Sequence, residues 1–262
     1  MSYNTSMSVP SRTQPPKLVI FDFDGTLSAN NQPVERLMAT KLSQLLERLP
    51  IGIVSEGDLG HLLKMAVARL PESAQFTNLH LLPASGGALY HFENGGWEKV
   101  FDETISEKDA PYIEKALKEG AKATETIPED SWGERIERRG SRIALLALGA
   151  DAPFSERYAW DSDKSKRAAL LNAVAARLPE GYRAENAGAA TIAVAKEGID
   201  RAYGVAHLCR RLRISESDAL YIGDQLYGDG DDESVLRTNA QVHAIQTPTD
   251  TARAIVSLLA AL

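Results

Sequence analysis

Cysteine is nearly absent from this chain of 262 residues, and the single one, Cys209, cannot form a disulfide within the chain. Long apolar runs are absent too, since no stretch approaches the roughly 20 apolar residues that a membrane-spanning helix requires. The five histidines show no spacing typical of metal ligands, so no zinc site is expected. These absences argue against a disulfide-rich scaffold and a membrane partner, and they make a reducing cytoplasm the expected location.

Positive charge is also in short supply, with 29 Lys and Arg against 36 Asp and Glu and a net charge of −7. Electrostatic binding of nucleic acid or of an anionic membrane is therefore not expected. The composition is that of a globular protein, and the length suits one large or two modest domains. Residues 1–16 lack the apolar segment of a signal peptide, so a disordered tail is expected there. No heptad pattern indicates an oligomeric state.

The most informative stretch is the run Lys-Leu-Val-Ile-Phe-Asp-Phe-Asp-Gly-Thr at residues 17–26. An apolar run of strand length ends there in Asp22 and Asp24. Because side chains alternate along a strand, these two carboxylates emerge on the same face. Two like charges so close together favour a metal ion between them, and one carboxylate could attack while the other transfers a proton.

The residues that follow alternate between helical and strand patterns. Helical spacing of apolar residues over 34–49 leads to a second apolar strand, Ile51–Val54, and a second helical pattern covers 59–70. Buried strands that alternate with helices predict a parallel sheet covered on both faces. Ligands bind beyond the carboxyl ends of such strands, where Asp22, Asp24 and Ser55 lie.

The pattern changes in the middle of the chain and then resumes. Residues 101–196 mix helical and strand patterns, as an inserted domain would, and a further helix and strand follow. We therefore predict an α/β fold in which a Rossmann-like core, 17–100 with 197–262, contains an α+β insertion. Directly after the strand Ala219–Ile222, the segment Gly223–Glu233 packs five carboxylates into eleven residues. A solvated acidic loop remains an alternative for Asp229, Asp231 and Glu233, whereas Asp224 is expected to bind a metal.

Together, the two acidic clusters resemble motifs of the haloacid dehalogenase superfamily of phosphatases and phosphomutases. Asp-x-Asp-Gly-Thr at 22–26 is similar to the first motif. The Gly-Asp at 223–224 and the acidic run to 232 are similar to the fourth, with Asp231 where asparagine is usual. The resemblance implies that Asp22 is a nucleophile, that Asp24 is the general acid and base, and that Mg²⁺ is the cofactor. The implied metal ligands are Asp22, Asp24, Asp224 and Asp232.

The same resemblance assigns the two remaining motifs. Ser55 matches the hydroxyl residue that hydrogen-bonds the transferring phosphoryl group. At the third motif, where the superfamily has lysine, this chain has Arg201, and the nearby Lys196 is an alternative. Arginine offers a planar fork where lysine offers a point charge.

Within the superfamily, the chain is similar to members with a type-II α+β cap, and most of all to the eukaryotic-type phosphomannomutases. Residues 136–139 resemble that family's Ile-Glu-x-Arg, and residues 156–164 resemble its Glu-Arg-Ile…Asp-Lys stretch. The resemblance implies that Arg139 and Arg157 hold the distal end of the substrate, and Thr191 stands where the family has a contacting serine. A family arginine falls on Ala150 and a sugar-contacting aspartate on Ala193.

These departures weaken the grip at both ends of the substrate that a mutase requires. We therefore predict a phosphatase that acts on a small phosphorylated metabolite, such as a sugar phosphate, through an aspartyl-phosphate. Two alternatives remain open at this stage: a phosphohexomutase, and a non-catalytic binding protein that kept the fold.

Overall fold

The computed structural model describes residues 14–29, 32–228 and 230–262. Most of the predicted tail and Asp229 lie outside these ranges. The strands are β1 (Leu18–Asp22), β2 (Ile51–Val54), β3 (Leu79–Leu82), β4 (Ala88–Glu93), β5 (Gly96–Asp102), β6 (Ile136–Arg139), β7 (Arg142–Leu146), β8 (Tyr182–Asn186), β9 (Thr191–Lys196), β10 (Ala219–Gly223) and β11 (Gln241–Ala244). The helices are α1 (Arg36–Leu46), α2 (Leu59–Met65), the single turn α3 (Pro83–Gly86), α4 (Ala110–Thr124), α5 (Phe154–Trp160), α6 (Ser165–Ala175), α7 (Arg201–Leu212) and α8 (Pro248–Ala261).

The described part of the chain divides into two compact units, one formed by its residues up to Phe101 together with those of Asp200–Leu262, the other by Asp102–Ile199. We call the first the core unit and the second the inserted unit. The interpretation of the inserted unit as a cap, with boundaries at residues 101 and 196, stays a prediction.

The core unit is built on a seven-stranded sheet in the order β11-β10-β1-β2-β3-β4-β5. The first five strands of that order are parallel, and β4 pairs antiparallel with β3. β1 lies between β10 and β2, with Phe21 opposite Ile222 and Asp22 opposite Val54. The carboxyl ends of these three strands therefore meet at one edge of the sheet, which we call the carboxyl edge.

Alternation along β1 sends its side chains into two separate apolar clusters. Val19 and Phe21 pack in a cluster with residues of α1, α2 and α8. Leu18 and Ile20 pack in another with residues of α7. Because Asp22 has the same parity as Leu18 and Ile20, it faces the side of the sheet that α7 covers. The carboxylate of Asp22 is therefore on the side of the sheet where it can contact α7.

The last two strands of the core sheet form a hairpin. β4 and β5 are joined by Asn94 and Gly95, whose φ angles are +53° and +82°. Two successive residues with positive φ are typical of a type I′ turn, which suits the twist of a two-residue hairpin. The hairpin is therefore closed by an Asn-Gly turn.

The inserted unit has a four-stranded antiparallel sheet in the order β6-β7-β9-β8. Its apolar cluster joins Ile143, Leu145, Ile192 and Val194 to residues of α4 and α6. Residues of opposite parity lie on the other face of the sheet, which we call the open face. Arg139, Arg142, Arg183 and Thr191 belong to this second set.

The predicted α/β fold with a mainly parallel central sheet is confirmed. The structure adds α5, which the sequence analysis did not predict, and it shortens the second predicted helix to Leu59–Met65, where a short 3₁₀ turn follows. Among the residues that the structure describes, no helix is both long and apolar enough to cross a membrane.

Candidate active site

A buried ion pair at the carboxyl edge joins the end of β1 to the start of α7. Asp22 is the last residue of β1, and Arg201 is the first residue of α7; both are almost fully buried. Nη2 of Arg201 donates to Oδ1 of Asp22 at 2.8 Å. Asp200 begins the helix by accepting a hydrogen bond from the backbone N–H of Tyr203 at 3.1 Å, which fixes where the arginine leaves the helix.

A second buried carboxylate contacts the same guanidinium. Oδ1 of Asp232 lies 3.1 Å from Nε of Arg201, so the arginine bridges Asp22 and Asp232. The hydroxyl of Tyr221 donates to Oδ1 of Asp232 at 2.5 Å, and the backbone N–H of Gln225 donates to its Oδ2 at 3.2 Å. Asp232 is thereby held in one orientation by contacts from three directions.

The third carboxylate, Asp224, follows β10 directly. Oγ1 of Thr26 donates to Oδ1 of Asp224 at 3.3 Å. Gly25 has φ of +83°, and a Cβ placed there would overlap Oδ2 of Asp224. The Gly-Thr pair after the two N-terminal aspartates therefore has a local purpose: glycine leaves room for Asp224, and threonine orients it.

These three aspartates form a cluster of oxygen donors. One carboxylate oxygen from each of Asp22, Asp224 and Asp232 lies within 4.8 Å of the others. Hard oxygen donors at such separations are the ligands that Mg²⁺ prefers, so the residues present fit this ion. Asp24 is outside that group among the described residues, although its charge is close enough to raise the pKa of Asp22.

The electrostatics of the cluster also favour a cation. Burial and then the charge of Asp232 raise the pKa of Asp22 well above its usual value, and the same two causes raise the pKa of Asp224. Burial works against the charged form of Arg201, but Asp232 and Asp22 raise its pKa well above the usual value. A single guanidinium therefore balances only part of the negative charge.

Two serines lie at the ends of the neighbouring strands β2 and β3. Ser55 follows β2, is buried, and its Oγ accepts a hydrogen bond from the backbone N–H of Gly57 at 3.1 Å. The backbone N–H of Ser85 donates to the carbonyl oxygen of Ser55 at 2.8 Å. Oγ of Ser85 is buried, with no hydrogen-bond partner in the described part of the chain. Ala84 and Ser85 both have positive φ, an arrangement that is rare outside glycine.

The two residues proposed for the third motif have different surroundings. Arg201 belongs to the core unit and contacts Asp22. Lys196 belongs to the inserted unit, where its Nζ lies 3.4 Å from Oε2 of Glu103. The geometry therefore favours Arg201 over Lys196 for the third-motif role.

The candidate substrate residues lie in the inserted unit. Arg139 and Thr191 share the open face, and Arg139 pairs through Nη2 with Oε2 of Glu137 at 2.6 Å. Arg157 instead donates to the backbone carbonyl oxygens of Ala152 at 2.9 Å and Ala150 at 2.6 Å. Hydrogen bonds to two backbone carbonyl oxygens are typical of a side chain that stabilises a loop.

The sequence analysis did not single out Thr26, Tyr221 or Ser85 as site residues. For Tyr221 one signal was available in the sequence. It lies inside an apolar strand, and a buried phenolic hydroxyl usually needs a polar partner. Thr26 was visible within the first motif, but its contact with Asp224 joins residues 198 positions apart. No sequence signal marks the positive φ of Ser85, which is neither glycine nor asparagine.

The chain has relatives of known activity and structure. Over 260 residues it is 23% identical to a phosphomannomutase from Saccharomyces cerevisiae, covering 94% of this chain and 96% of the relative. An IMP-bound IMP-nucleotidase from Plasmodium falciparum has a similar structure, with a TM-score of 0.65 and 17% identity over 94% of this chain and 68% of the other. A haloacid dehalogenase-like hydrolase from Bacteroides thetaiotaomicron matches with a TM-score of 0.61 and 13% identity, over 92% and 98% of the two chains. No family model matches the chain.

These similarities establish the fold class. The chain has the fold of the haloacid dehalogenase-like hydrolases, with an inserted α+β unit, and the predicted resemblance to them and to the phosphomannomutases is confirmed.

Proposed function

We propose that this protein is a Mg²⁺-dependent phosphatase that hydrolyses small phosphomonoesters through an aspartyl-phosphate on Asp22. The observation that carries the proposal is the cluster at the carboxyl edge, in which one carboxylate oxygen from each of three aspartates lies within 4.8 Å of the others and one arginine bridges two of these residues. The fold shared with haloacid dehalogenase-like hydrolases supports it. The single buried thiol of Cys209 agrees with a location in the reducing cytoplasm.

The two N-terminal aspartates divide the chemistry. A carboxylate oxygen of Asp22 forms a bond to phosphorus as the bond from phosphorus to the leaving oxygen breaks, and Asp24 donates its proton to that oxygen. Asp24 then takes a proton from the water that attacks the aspartyl-phosphate, which restores both carboxyl groups. Mg²⁺, when bound by Asp22, Asp224 and Asp232 with the backbone of Asp24, supplies positive charge against the phosphoryl oxygens.

Two further groups act on the transferring phosphoryl group. Nη1 of Arg201 is buried and has no hydrogen-bond partner among the described residues, so one donor of the fork is left for a phosphoryl oxygen. The hydroxyl of Ser55 can donate a second hydrogen bond while it accepts one from Gly57. Both donors would stabilise charge that develops during transfer.

We propose that the open face of the inserted unit determines which small phosphorylated compound is bound, and that a sugar phosphate is the substrate it selects. Its central positions are small, with Ala144, Ala193 and Ala195 in adjacent strands. Three arginines on this face share two glutamates, since Arg139 pairs with Glu137 while Arg142 and Arg183 both contact Glu185. A face whose positive charge is largely compensated suits a polar, hydroxylated group better than a second phosphate, and this favours hydrolysis over a mutase reaction.

The proposal is tested by phosphate release from a panel of phosphomonoesters, with and without Mg²⁺. We expect turnover that requires Mg²⁺ and falls by about a thousandfold or more in Asp22→Asn. The control is Asp218→Asn, the same substitution at an aspartate that precedes β10 and pairs with Lys17 at 2.8 Å. Activity of Asp22→Asn near that of the wild type would refute the assignment.

Two neighbours on β6 test the role of the open face. Arg139 lies on that face, whereas Arg138 has the opposite parity and pairs with Glu107 and Glu114, both at 2.7 Å. We expect Arg139→Ala to raise the KM of the best substrate about tenfold with little change in kcat, and Arg138→Ala to leave both unchanged. Equal effects of the two variants would contradict a specific role for this face.

A phosphohexomutase is the second candidate, because the similarity to the yeast phosphomannomutase spans 94% of the chain. The two activities separate when a hexose 1-phosphate is supplied with a trace of hexose 1,6-bisphosphate. A phosphatase releases inorganic phosphate, whereas a mutase yields hexose 6-phosphate without it. Isomer formation without phosphate release would replace our proposal.

A further inference from the structure

A polar cavity lies at the edge of the core sheet opposite the candidate active site, where the parallel strands begin. Its volume is about 610 Å³. Pro50 comes directly before β2, and Asn78 directly before β3, so the cavity opens at the amino ends of these strands, which we call the amino edge. The candidate active site occupies the carboxyl ends of neighbouring strands, at least one strand length away, or roughly 13 Å for four residues.

Two guanidinium groups give this cavity positive charge. Arg211 and Arg213, at the end of α7, line it, and neither forms a salt bridge within the described ranges of the chain. Arg213 has φ of +56°, in the left-handed region where glycine is the usual residue after a helix. An arginine therefore stands in a backbone conformation that favours another residue, and its side chain lines the cavity.

A buried histidine adds a hydrogen-bonding group without a partner. His80, on β3, lines the cavity and is 4% exposed, and its Nδ1 is buried without a hydrogen bond to any described residue. Burial and the nearby charge of Arg211 lower the pKa of His80 to about 4. The imidazole is therefore neutral at pH 7, and one of its nitrogens can donate while the other accepts.

The remaining lining includes one acid and several apolar groups. His91 is opposite His80 in the β3–β4 pair, and its Nε2 lies 2.7 Å from Oε2 of Glu93. Glu93 is the cavity's one lining carboxylate, against two arginines, and a carboxylate oxygen of Glu98 lies within 4.8 Å of it. Phe92 and Leu212 supply apolar surface beside them. The cavity thus combines positive charge, an unpartnered buried imidazole and an apolar wall.

We propose that this cavity is a binding site for a small phosphorylated compound. In this arrangement Arg211 and Arg213 pair with the phosphate, His80 hydrogen-bonds it, and the organic part lies against Phe92 and Leu212. Guanidinium groups match phosphate oxygens in geometry and charge. The site is separate from the carboxyl edge and does not depend on the reaction proposed there.

The test uses histidine resonances of the full chain in ¹H–¹³C NMR spectra at pH 7, after removal of divalent cations. Without a metal, the carboxyl edge has a surplus of carboxylates and should repel anions. Inorganic phosphate is titrated first, then phenylphosphonate, which adds an aromatic ring and cannot be hydrolysed. We expect saturable shifts of His80 and His91, with about tenfold tighter binding of phenylphosphonate because its ring removes apolar surface from water.

Matched arginine variants decide whether the cavity recognises the anion. The double substitution Arg211→Ala/Arg213→Ala should weaken phenylphosphonate binding at least tenfold, since two charge-assisted contacts are lost. Arg210→Ala, which removes an exposed arginine of the same helix end outside the cavity lining, should leave binding unchanged. The proposal is overturned if the two histidines do not shift, if the double variant binds as tightly as the wild type, or if uncharged benzyl alcohol binds as tightly as phenylphosphonate.

Discussion

The two edges of the core sheet carry opposite surpluses of charge. At the carboxyl edge, four aspartates share the site with one buried guanidinium, that of Arg201. At the amino edge, two guanidiniums line a cavity with a single carboxylate, whose Oε2 lies 2.7 Å from Nε2 of His91. One sheet therefore offers a place for a cation at one edge and for an anion at the other.

This contrast shows how little the net charge of −7 says about what the protein binds. A phosphomonoester would meet repulsion at the carboxyl edge until a cation compensates the aspartates. At the amino edge, the guanidinium groups that line the cavity already provide positive charge for an anion. The contrast predicts that metal removal abolishes phosphate binding at the first edge and leaves it intact at the second.

The largest effect is expected from Arg201→Ala, which removes a positive charge and so increases the excess of negative charge at the carboxyl edge. Without Mg²⁺ the free energy of unfolding should fall by about 3 kcal/mol, because Asp22 and Asp232 lose their buried partner. Phosphatase activity should fall by about a thousandfold. Added Mg²⁺ should raise the Tm of the variant more than that of the wild type, since the ion then meets uncompensated carboxylates.

The control for this prediction is Lys196→Ala, the other residue considered for the third motif. Because Lys196 lies near Glu103 and belongs to the inserted unit, we expect its loss to change activity only a few-fold. Arg201→Lys keeps the charge, but an ammonium group cannot bridge both carboxylates as a guanidinium does. The phosphatase activity of this variant should therefore lie between those of Arg201→Ala and Lys196→Ala. A large loss of activity in Lys196→Ala with none in Arg201→Ala would reverse our assignment.

The next largest effect is expected from a substitution that tests the close approach of Gly25 and Asp224 at the carboxyl edge. In Gly25→Ala the new Cβ would overlap Oδ2 of Asp224, so this carboxylate must move. We expect about a tenfold or greater rise in the Mg²⁺ concentration that gives half-maximal activity. Gly95→Ala is the matched control: its φ of +82° is nearly the same as the +83° of Gly25, but nothing lies within 4 Å of the added Cβ. Equal losses of activity in both variants would mean that backbone strain, and not Asp224, is responsible.

At the amino edge, His80 makes stability depend on pH. Its pKa is about 4 in the folded protein against 6.5 as the ordinary value, so the unfolded chain binds this proton more readily. The contribution of the neutral His80 imidazole to the free energy of unfolding is complete above pH 6.5. It is lost as the pH falls from about 6.5 towards 4. At pH 5 the loss amounts to roughly 2 kcal/mol.

Urea unfolding of wild type and His80→Leu at pH 7 and pH 5 measures this contribution. The drop in unfolding free energy between the two pH values should be smaller in the variant by that amount. An NMR titration of the His80 resonance checks the cause directly, because the resonance should not titrate between pH 7 and pH 5. An equal pH dependence of both proteins would show that His80 is not buried in its neutral form.

Much of the carboxyl edge was predictable because its residues follow strands. Asp22, Asp224 and Ser55 each come directly after an apolar run, and the parallel topology fixes where such residues meet. The choice between Arg201 and Lys196 was not predictable, since both lie near the turn that leads into α7. Only the contact with Asp22 across 179 positions separates them.

The amino edge gave no comparable signal. Its cavity is assembled from chain turns that are far apart in sequence, such as Pro50, Asn78 and Arg213, and no motif links them. β3 was also not predicted from its residues, because His80 interrupts an apolar run of only four positions. The burial of that histidine follows from its neighbours in three dimensions and not from local pattern.

The smallest effect isolates a single hydrogen bond at the carboxyl edge. Thr26→Val keeps the shape of a fully buried side chain but removes the hydroxyl that donates to Asp224 at 3.3 Å. One hydrogen bond contributes about 1 kcal/mol, so we expect Mg²⁺ affinity to fall roughly fivefold, measured by isothermal titration calorimetry. Thr26→Ser retains the hydroxyl and should bind Mg²⁺ as the wild type does. If valine at this position left the affinity unchanged, the orientation of Asp224 would depend on the room left by Gly25 alone.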